Sequence, residues 1–184
     1  MGKRIIQQAR GHGSLTYRAR SKAYKFRITY PKAEGKAKVL RLINSPAHSA
    51  PIAKIKIGKE IFYNIAVNGL QEGQEIEIGK NAQPNAGNIM PLSSIPLGTN
   101  VCSIETIPYN GPKIIRASGL SAKTTKKIQN KVFVLLPSKQ EKPFDGRARA
   151  TIGIVAAAGR REKPIVKAGK MWHMMKARNK LWPR

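Results

Sequence analysis

Aromatic and basic side chains alternate near the amino end of this 184-residue chain. Tyr17, Tyr24, Phe26 and Tyr30 are interleaved with nine Lys and Arg residues among residues 1–33, which contain no acidic residue. Aromatic rings stack on unpaired bases and cationic side chains pair with phosphates, so this combination favours contact with RNA. The alternative is a solvated tail whose aromatic residues pack on the body of the same protein.

The carboxyl end is basic as well. Residues 163–184 contain seven basic and no acidic residues, whereas the 129 residues between the two ends contain 19 basic and nine acidic residues. Because the formal net charge is +26, self-repulsion opposes compaction, and we expect a polyanion to balance it. The amino arm lacks a sustained apolar stripe of helical period, so we expect it to be disordered in isolation.

Residue patterns typical of catalysis or metal binding are not found in the sequence. His12, His48 and His173 are far apart, and no carboxylate stands at a metal-ligand spacing from any of them. Cys102 lies in an alternating apolar run and is interpreted as a small buried side chain. No phosphate-binding loop and no close pair of carboxylates is present. We therefore expect no enzymatic activity, no cofactor, no metal and no small-molecule substrate.

Apolar runs are too short to cross a bilayer. The longest, Ile152–Ala158, has about seven residues, against the roughly 20 that a spanning helix needs. The run Met171–Met175 has two alternative readings, a membrane anchor or a partner-binding helix, but the cations around it favour a segment docked on RNA. We expect a cytoplasmic protein with no membrane partner.

The first part of the body consists of short β-type runs separated by Gly and Pro turns. In Glu75–Ile78 the Ile and Glu residues alternate, as in a half-buried strand. The other runs are Val39–Ile43, Ile52–Ile57 and Ile61–Asn68. Several short strands within about fifty residues predict a small closed barrel such as an OB-fold.

The second part of the body begins after a stretch rich in Asn, Pro and Gly at residues 80–98, which we interpret as a connector with at most one short strand. Further β-type runs predict a second small barrel: Val101–Ile107, Ile114–Ala117, Lys131–Leu136 and Arg147–Ile154. In the last run, alternation places Arg147, Arg149 and Thr151 on the outer face. The predicted organisation is an all-β fold with an arm at 1–35, barrels at 36–82 and 83–160, and a basic extension at 161–184.

Charge differs between the two predicted barrels. Residues 34–82 carry a net charge of +2 and residues 83–162 a net charge of +8, so the second barrel is expected to lie closer to RNA. The predicted RNA-binding residues are basic or aromatic residues, with one histidine, of the arms and the second barrel. They are Lys3, Arg4, Arg10, His12, Tyr17, Arg18, Arg20, Lys22, Arg27, Arg116, Lys123, Arg147, Arg149, Arg160, Arg161, Lys170, Trp172, Lys176, Arg178 and Lys180.

Several segments, taken in order, resemble a known family over nearly the whole chain. They are Gly11–Arg18, Ala50–Ile55, Gly87–Leu92, Ile95–Thr99, Arg116–Gly119 and Arg149–Gly153. Together they resemble the universal large-subunit ribosomal protein two family in its archaeal or eukaryote-like form. Two alternatives from other classes are an architectural DNA-binding protein and an RNA-modifying enzyme or nuclease. The sequence contains no helical apolar stripe through which a DNA-binding protein could dimerise. It also contains no group of acidic and basic side chains suited to catalysis by an enzyme.

The resemblance implies an OB-fold followed by an SH3-like barrel, with basic extensions threaded into large-subunit ribosomal RNA. It also implies roles in assembly of the peptidyl transferase region, in tRNA binding and in subunit association. The implied partners are this RNA, neighbouring large-subunit proteins and the small subunit. Ser45–His48 departs from the family, which commonly has Asp-Pro and a following Arg there. The family usually continues beyond the position of Arg184 into a loop with His and Gly, and no role of that loop is carried over.

Overall fold

The computed structural model describes Gly2, residues 5–13, Leu15, Arg18 and residues 21–177. Residues 24–160 form one compact unit, and the described parts of residues 1–23 and 161–184 form another. The first unit is built from twelve strands, which confirms the all-β class that the alternating runs predict.

The strands are short and most of them pair antiparallel. Their bounds are β1 Gly35–Ile43, β2 Ile52–Ile57, β3 Glu60–Ile65, β4 Glu75–Ile78, β5 Ile89–Pro91, β6 Asn100–Cys102, β7 Ile104–Glu105, β8 Pro112–Ile114, β9 Ala122–Ile128, β10 Lys131–Leu135, β11 Glu141–Asp145 and β12 Arg149–Ile152. Ten strands follow the hydrogen-bonded order β11-β10-β9-β6-β12-β5-β4-β1-β2-β3, and β7 pairs with β8. The β4–β5 pair is parallel.

Two hydrophobic cores lie on opposite faces of the strand pair β2–β3. Ala53, Ile55 and Phe62 point into a first core, which is completed by residues of β1, β4 and β5. Ile52 and Ile65 point into a second core, which holds residues of β6, β9, β10, β11 and β12. Because side chains alternate along a strand, one strand pair can serve both cores. Two cores that share a wall agree with a two-barrel arrangement, whose domain bounds stay a prediction.

The compact unit begins at Tyr24, whereas the sequence places the end of the arm at residue 35. Ile28 and Tyr30 are buried, and Ile28 forms a parallel bridge with Tyr63. The backbone N–H of Thr29 donates to the carbonyl of Tyr63 at 3.0 Å. These residues therefore pack against β3 and belong structurally to the body.

The structure differs from the sequence-based strands at several points. The run Val101–Ile107 is divided into β6 and β7 at Ser103, whose φ is 51°. Strands β9 and β11 have no counterpart in the sequence analysis, because most of their residues are polar and neither shows a clear apolar alternation. All four residues of β12 are buried, so the predicted outer face of this strand is wrong. Strand β12 lies between β5 and β6, and both of its faces are covered.

Helices are few in the described part of the chain. Helix α1 spans Ile6–His12, where the sequence predicts no helix, and α2 spans Ala168–Ala177, around the run Met171–Met175. A short 3-10 helix lies at Ala158–Arg161. Neither α-helix has the length and apolar character that crossing a membrane requires.

Candidate RNA interface

The carboxylate of Glu105 is completely buried and binds Arg149 at two points. Its Oε1 lies 2.9 Å from Arg149 Nη2, and its Oε2 accepts the backbone N–H of Arg149 at 2.9 Å. The second terminal nitrogen of Arg149, Nη1, donates to the carbonyl of Pro31 at 2.5 Å. Each nitrogen of the guanidinium thus donates to a protein group, and the prediction that Arg149 contacts RNA is not supported by its buried position.

Two tyrosine rings flank the same guanidinium. The Arg149 Cζ lies 5.2 Å from the ring centroid of Tyr30 and 5.0 Å from that of Tyr109. Tyr30 is buried, its hydroxyl donates to the carbonyl of Ser103 at 2.6 Å, and burial raises its pKa well above the usual value. Tyr30 is therefore a core residue, not one of the base-stacking rings that the arm was expected to provide.

The loop that follows β7 is held by Glu105 as well. Glu105 Oε2 accepts the backbone N–H of Tyr109 at 3.1 Å, and Oε1 accepts that of Gly111 at 3.0 Å. Tyr109 has a φ of 64°, in the left-handed region that costs a residue with a side chain roughly 1–2 kcal/mol. Buried carboxylate hydrogen bonds offset this strain and fix the loop.

Arg147 stands on the surface two residues before Arg149. Its side chain is 79% exposed, and its Nη2 lies 3.0 Å from Asp145 Oδ2. The hydrogen bonds from Arg147 lower the pKa of Asp145, and such exposed pairs contribute little to stability. Arg147 and Lys127 line a surface cavity of about 350 Å³. Lys127 Nζ donates to the carbonyl of Ser93 at 2.7 Å, so the cavity has two cations at its wall.

Arg116 and Arg160 are carried by two segments in direct contact. Gly119 has a φ of 70°, and a Cβ at this position would lie 2.8 Å from the Cα of Ala158. The N–H of Gly119 also donates to the carbonyl of Val155 at 3.0 Å. Only glycine permits this approach, which brings the turn with Arg116 against the segment that ends in Arg160. Both arginines are exposed.

The segment that departs from the family pattern lies next to the turn with Arg116, since the N–H of Ser118 donates to Ser49 Oγ at 2.9 Å. Ser45 Oγ is 2.9 Å from His48 Nδ1, and the His48 ring meets the Tyr24 ring edge-on at 6.2 Å. The pKa of His48 is lowered, first by burial and then by the positive charge of Arg116. A histidine, an exposed tyrosine and an arginine thus form a small cluster on the body.

Family models and curated relatives give the same assignment. The model described as "Ribosomal Proteins L2, C-terminal domain" matches residues 85–184, more than half of the chain. The chain belongs to the ribosomal protein L2 family. It is 43% identical to "Large ribosomal subunit protein uL2" of Methanospirillum hungatei, over all of this chain and 80% of that protein. It is also 43% identical to the protein of the same name from Archaeoglobus fulgidus, over all of this chain and 79% of that protein.

A third archaeal relative is similar to this L2-family chain over the chain's whole length. The Korarchaeum cryptofilum protein, also named "Large ribosomal subunit protein uL2", is 41% identical over all of this chain and 77% of its own length. The resemblance to the archaeal form of the family is therefore confirmed.

In the other unit of this L2-family chain, α1 and α2 are joined by a hydrogen bond. Arg10 Nη2 donates to the carbonyl of Lys176 at 2.6 Å. Lys176 is buried, and its Nζ lies 4.7 Å from the ring centroid of Trp172. The predicted RNA contact at Lys176 therefore has a covered ammonium group. His12, Lys170 and Trp172 are exposed in the same unit.

The remaining predicted residues divide into two groups. Arg18, Lys22, Arg27 and Lys123 are exposed, as RNA contacts require. The others lie outside the described residues: Lys3, Arg4, Tyr17, Arg20, Arg178 and Lys180. For Arg161 the structure describes the backbone but not the side chain.

Except for Lys123, sequence reasoning missed the lysines of strands β9–β11 and the turns between them. Lys126 Nζ lies 4.7 Å from the ring centroid of Phe133, and it pairs with Glu141 at 3.0 Å. The high lysine content of residues 122–128 could have indicated a cationic surface. Because no strand was predicted there, these lysines could not be placed on a common face. Within the described residues no cluster of three or more His, Cys, Asp or Glu side chains is arranged to hold a metal ion.

Proposed function

We propose that this protein is a structural constituent of the large ribosomal subunit that binds large-subunit ribosomal RNA. One observation carries the proposal: the surface of residues 83–160 is almost uniformly cationic. Its carboxylates are the buried Glu105, the half-buried Asp145 and the exposed Glu141. Its exposed cations are Lys113, Arg116, Lys123, Lys126, Lys127, Lys131, Lys139, Lys142, Arg147 and Arg160.

Phosphate neutralisation is the mechanism that this surface supports. Each Lys or Arg that replaces condensed counterions on RNA gains free energy from their release. Among the described residues, Lys126, Arg147 and Arg149 form ion pairs with carboxylates, and the last of these pairs is internal. The exposed cations therefore remain oriented toward solvent, where an RNA backbone can approach them.

The finer role follows the family resemblance. We propose that residues 36–82 form an OB-fold domain and residues 83–160 an SH3-like domain, flanked by basic arms that thread between RNA helices. Proposed partners are neighbouring large-subunit proteins and the small subunit across the interface. The proposed contributions are to assembly of the peptidyl transferase region, tRNA binding and subunit association, without a catalytic step by this chain.

Two measurements test the proposal. In a sucrose gradient, the tagged full-length protein is expected to migrate with the large subunit and with joined ribosomes. In a filter-binding titration against a large-subunit rRNA transcript, the logarithm of affinity should fall linearly with the logarithm of salt concentration. With about one third of the 16 arm cations paired, the slope is near −4 to −5, so affinity falls by roughly two to three orders of magnitude between about 50 and 200 mM salt.

Duplex DNA of matched length is the control in the same titration. A protein that sediments free of ribosomal particles, or that binds the DNA as tightly as the rRNA transcript, would contradict the proposed function. Equal binding would instead favour an architectural DNA-binding protein.

A further inference from the structure

Tyr109 combines strained backbone with an exposed ring. It is the third residue of a turn closed by the hydrogen bond from Asn110 N–H to the Ile107 carbonyl at 3.2 Å. Pro108 at the second position and a φ of 64° at Tyr109 match a type II turn, in which the third position is ordinarily glycine. A tyrosine in this conformation is unusual, and residues of this kind concentrate at functional sites.

One face of the Tyr109 ring contacts the guanidinium of Arg149, and the rest of the ring is open to solvent. Its centroid lies 5.0 Å from the guanidinium carbon of Arg149, which is itself held by Glu105 and by the Pro31 carbonyl. Despite this contact Tyr109 is 69% exposed. Since the guanidinium covers one face, the exposed area includes the opposite face of the ring. The Tyr109 side chain is thus a rigid aromatic surface in contact with solvent.

The surface around this turn is cationic. Arg147, two residues before Arg149 in the chain, keeps its Nη2 3.0 Å from Asp145 Oδ2. Arg147 is 79% exposed by its side chain. An exposed aromatic ring on a cationic surface is the arrangement with which proteins hold unpaired nucleotides, the base on the ring and the phosphates on nearby cations.

We propose that Tyr109 is a stacking platform for one unpaired base of RNA. The inference rests on the proposed RNA-binding function and assigns to it a single-stranded element. The stack runs outward from the core as Tyr30, Arg149, Tyr109 and then the base. The buried Glu105–Arg149 pair positions the platform before RNA arrives, so little ordering cost remains at binding.

Fluorescence titration of a single-stranded RNA 12-mer containing 2-aminopurine tests the platform in the full-length protein. Tyr109→Ala is expected to weaken binding by about 5- to 150-fold, the loss of one stacked base. Tyr109→Phe keeps the ring and should bind within about twofold of the parent protein. Ile107→Ala is the matched control, because Ile107 is 62% exposed in the same turn but has no aromatic ring on which a base could stack.

Tyr109→Gly separates stacking from a structural role. Glycine is favoured at a φ of 64°, so this variant should unfold at the same temperature as the parent or above it, yet lose single-strand affinity as Tyr109→Ala does. The same RNA in a perfect duplex presents no unpaired base, and all variants should bind it equally.

Three outcomes would overturn the platform: single-strand affinity unchanged in Tyr109→Ala, an equal loss in Tyr109→Phe, or an equal loss on the duplex. A parent protein that binds the large-subunit rRNA transcript but not the 12-mer would also overturn it and leave the proposed function standing. Failure of the parent protein to bind the transcript at all would instead remove the proposed function itself.

Discussion

Glu105 and Arg149, which are 44 positions apart in sequence, form a buried ion pair between β7 and β12 with an Oε1–Nη2 distance of 2.9 Å. Glu105 also accepts hydrogen bonds from the backbone N–H groups of Tyr109 and Gly111, and Arg149 donates one to the carbonyl of Pro31. One charge pair thereby connects the start of the body, a surface loop and a central strand. Such a pair positions the segments that it connects more than it stabilises the fold, because the cost of removing both charges from water offsets much of their Coulomb attraction.

Replacing Glu105 by Gln should destabilise the protein strongly. The substitution keeps the shape but leaves the charge of Arg149 buried without a counter-charge, and loss of one partner of a buried pair costs about 3–5 kcal/mol. Urea unfolding followed by circular dichroism measures the change. Asp145→Asn is the control, since its pair with Arg147 is exposed and should change the free energy of unfolding very little. Similar losses in the two variants would show that burial does not govern these pairs.

Two amino-terminal deletions should differ in stability. Removing residues 1–23 takes away six basic residues and none of the described core of the body, so the unit 24–160 should remain folded. Removing residues 1–33 also takes away Ile28 and Tyr30, and large buried side chains of this kind are each worth about 2–5 kcal/mol. Thermal unfolding of both truncated proteins measures the difference.

The salt dependence of RNA binding should be flatter in both truncated proteins. Each lost phosphate contact reduces the log–log slope by about 0.7 to 0.9. A filter-binding titration at four or more salt concentrations measures the slope against that of the full-length protein. An unchanged slope would mean that the amino arm is not an electrostatic anchor.

Limits of prediction from sequence are visible in particular residues. Strand β4 has the bounds predicted for it, because Glu75–Ile78 alternates without interruption and is followed by Gly79. Strand β9 was not predicted, because between Ala122 and Ile128 it contains only Lys and Thr. It is a strand because β6 and β10 pair with it on both sides, and that information is not local.

The candidate RNA interface was likewise predicted only in part from the sequence. Exposure of Arg116, Arg147 and Arg160 agrees with the charge pattern of the second half of the chain. Burial of Arg149 could not be predicted, because alternation defines two faces but not what covers them, and its partner Glu105 lies on another strand. Tyr109 was not predicted, since the sequence does not show that Glu105, four residues earlier, is buried and accepts the backbone N–H of Tyr109.

Charge reversal should affect RNA binding unequally on the two halves of the body. Arg116→Glu places a negative charge in the cationic region around Arg160 and should weaken binding to the rRNA transcript by about tenfold or more at low salt, since it both removes a contact and adds repulsion. Lys56→Glu is the matched control: Lys56 is exposed on β2, in the half of the body with the lower net charge. Equal losses measured by filter binding would refute the assignment of the RNA face to residues 83–160.

Acid should destabilise the protein partly through His48. Its pKa is lowered in the folded state by burial and by Arg116, so the unfolded chain binds a proton more readily than the folded protein does. The contribution of neutral His48 is therefore present above the unfolded pKa of about 6.5 and is lost as pH falls toward the lower folded value.

Urea unfolding at pH 7.5 and at pH 5.5 measures this effect. His48→Gln should lose less stability than the parent protein over this interval, and Arg116→Gln should reduce the difference by removing one of its two causes. Identical pH dependence in the parent protein and in His48→Gln would exclude His48 as a contributor.

Cys102 lies in β6 within the second core, and burial raises its thiol pKa to about 12. It is the only cysteine of the chain, and at neutral pH it is both shielded and protonated. A thiol reagent can therefore modify the native protein only after the second core opens. The rate of modification thus reports how often the second core opens around this one position, in the free protein and in its complex with RNA, without an engineered cysteine.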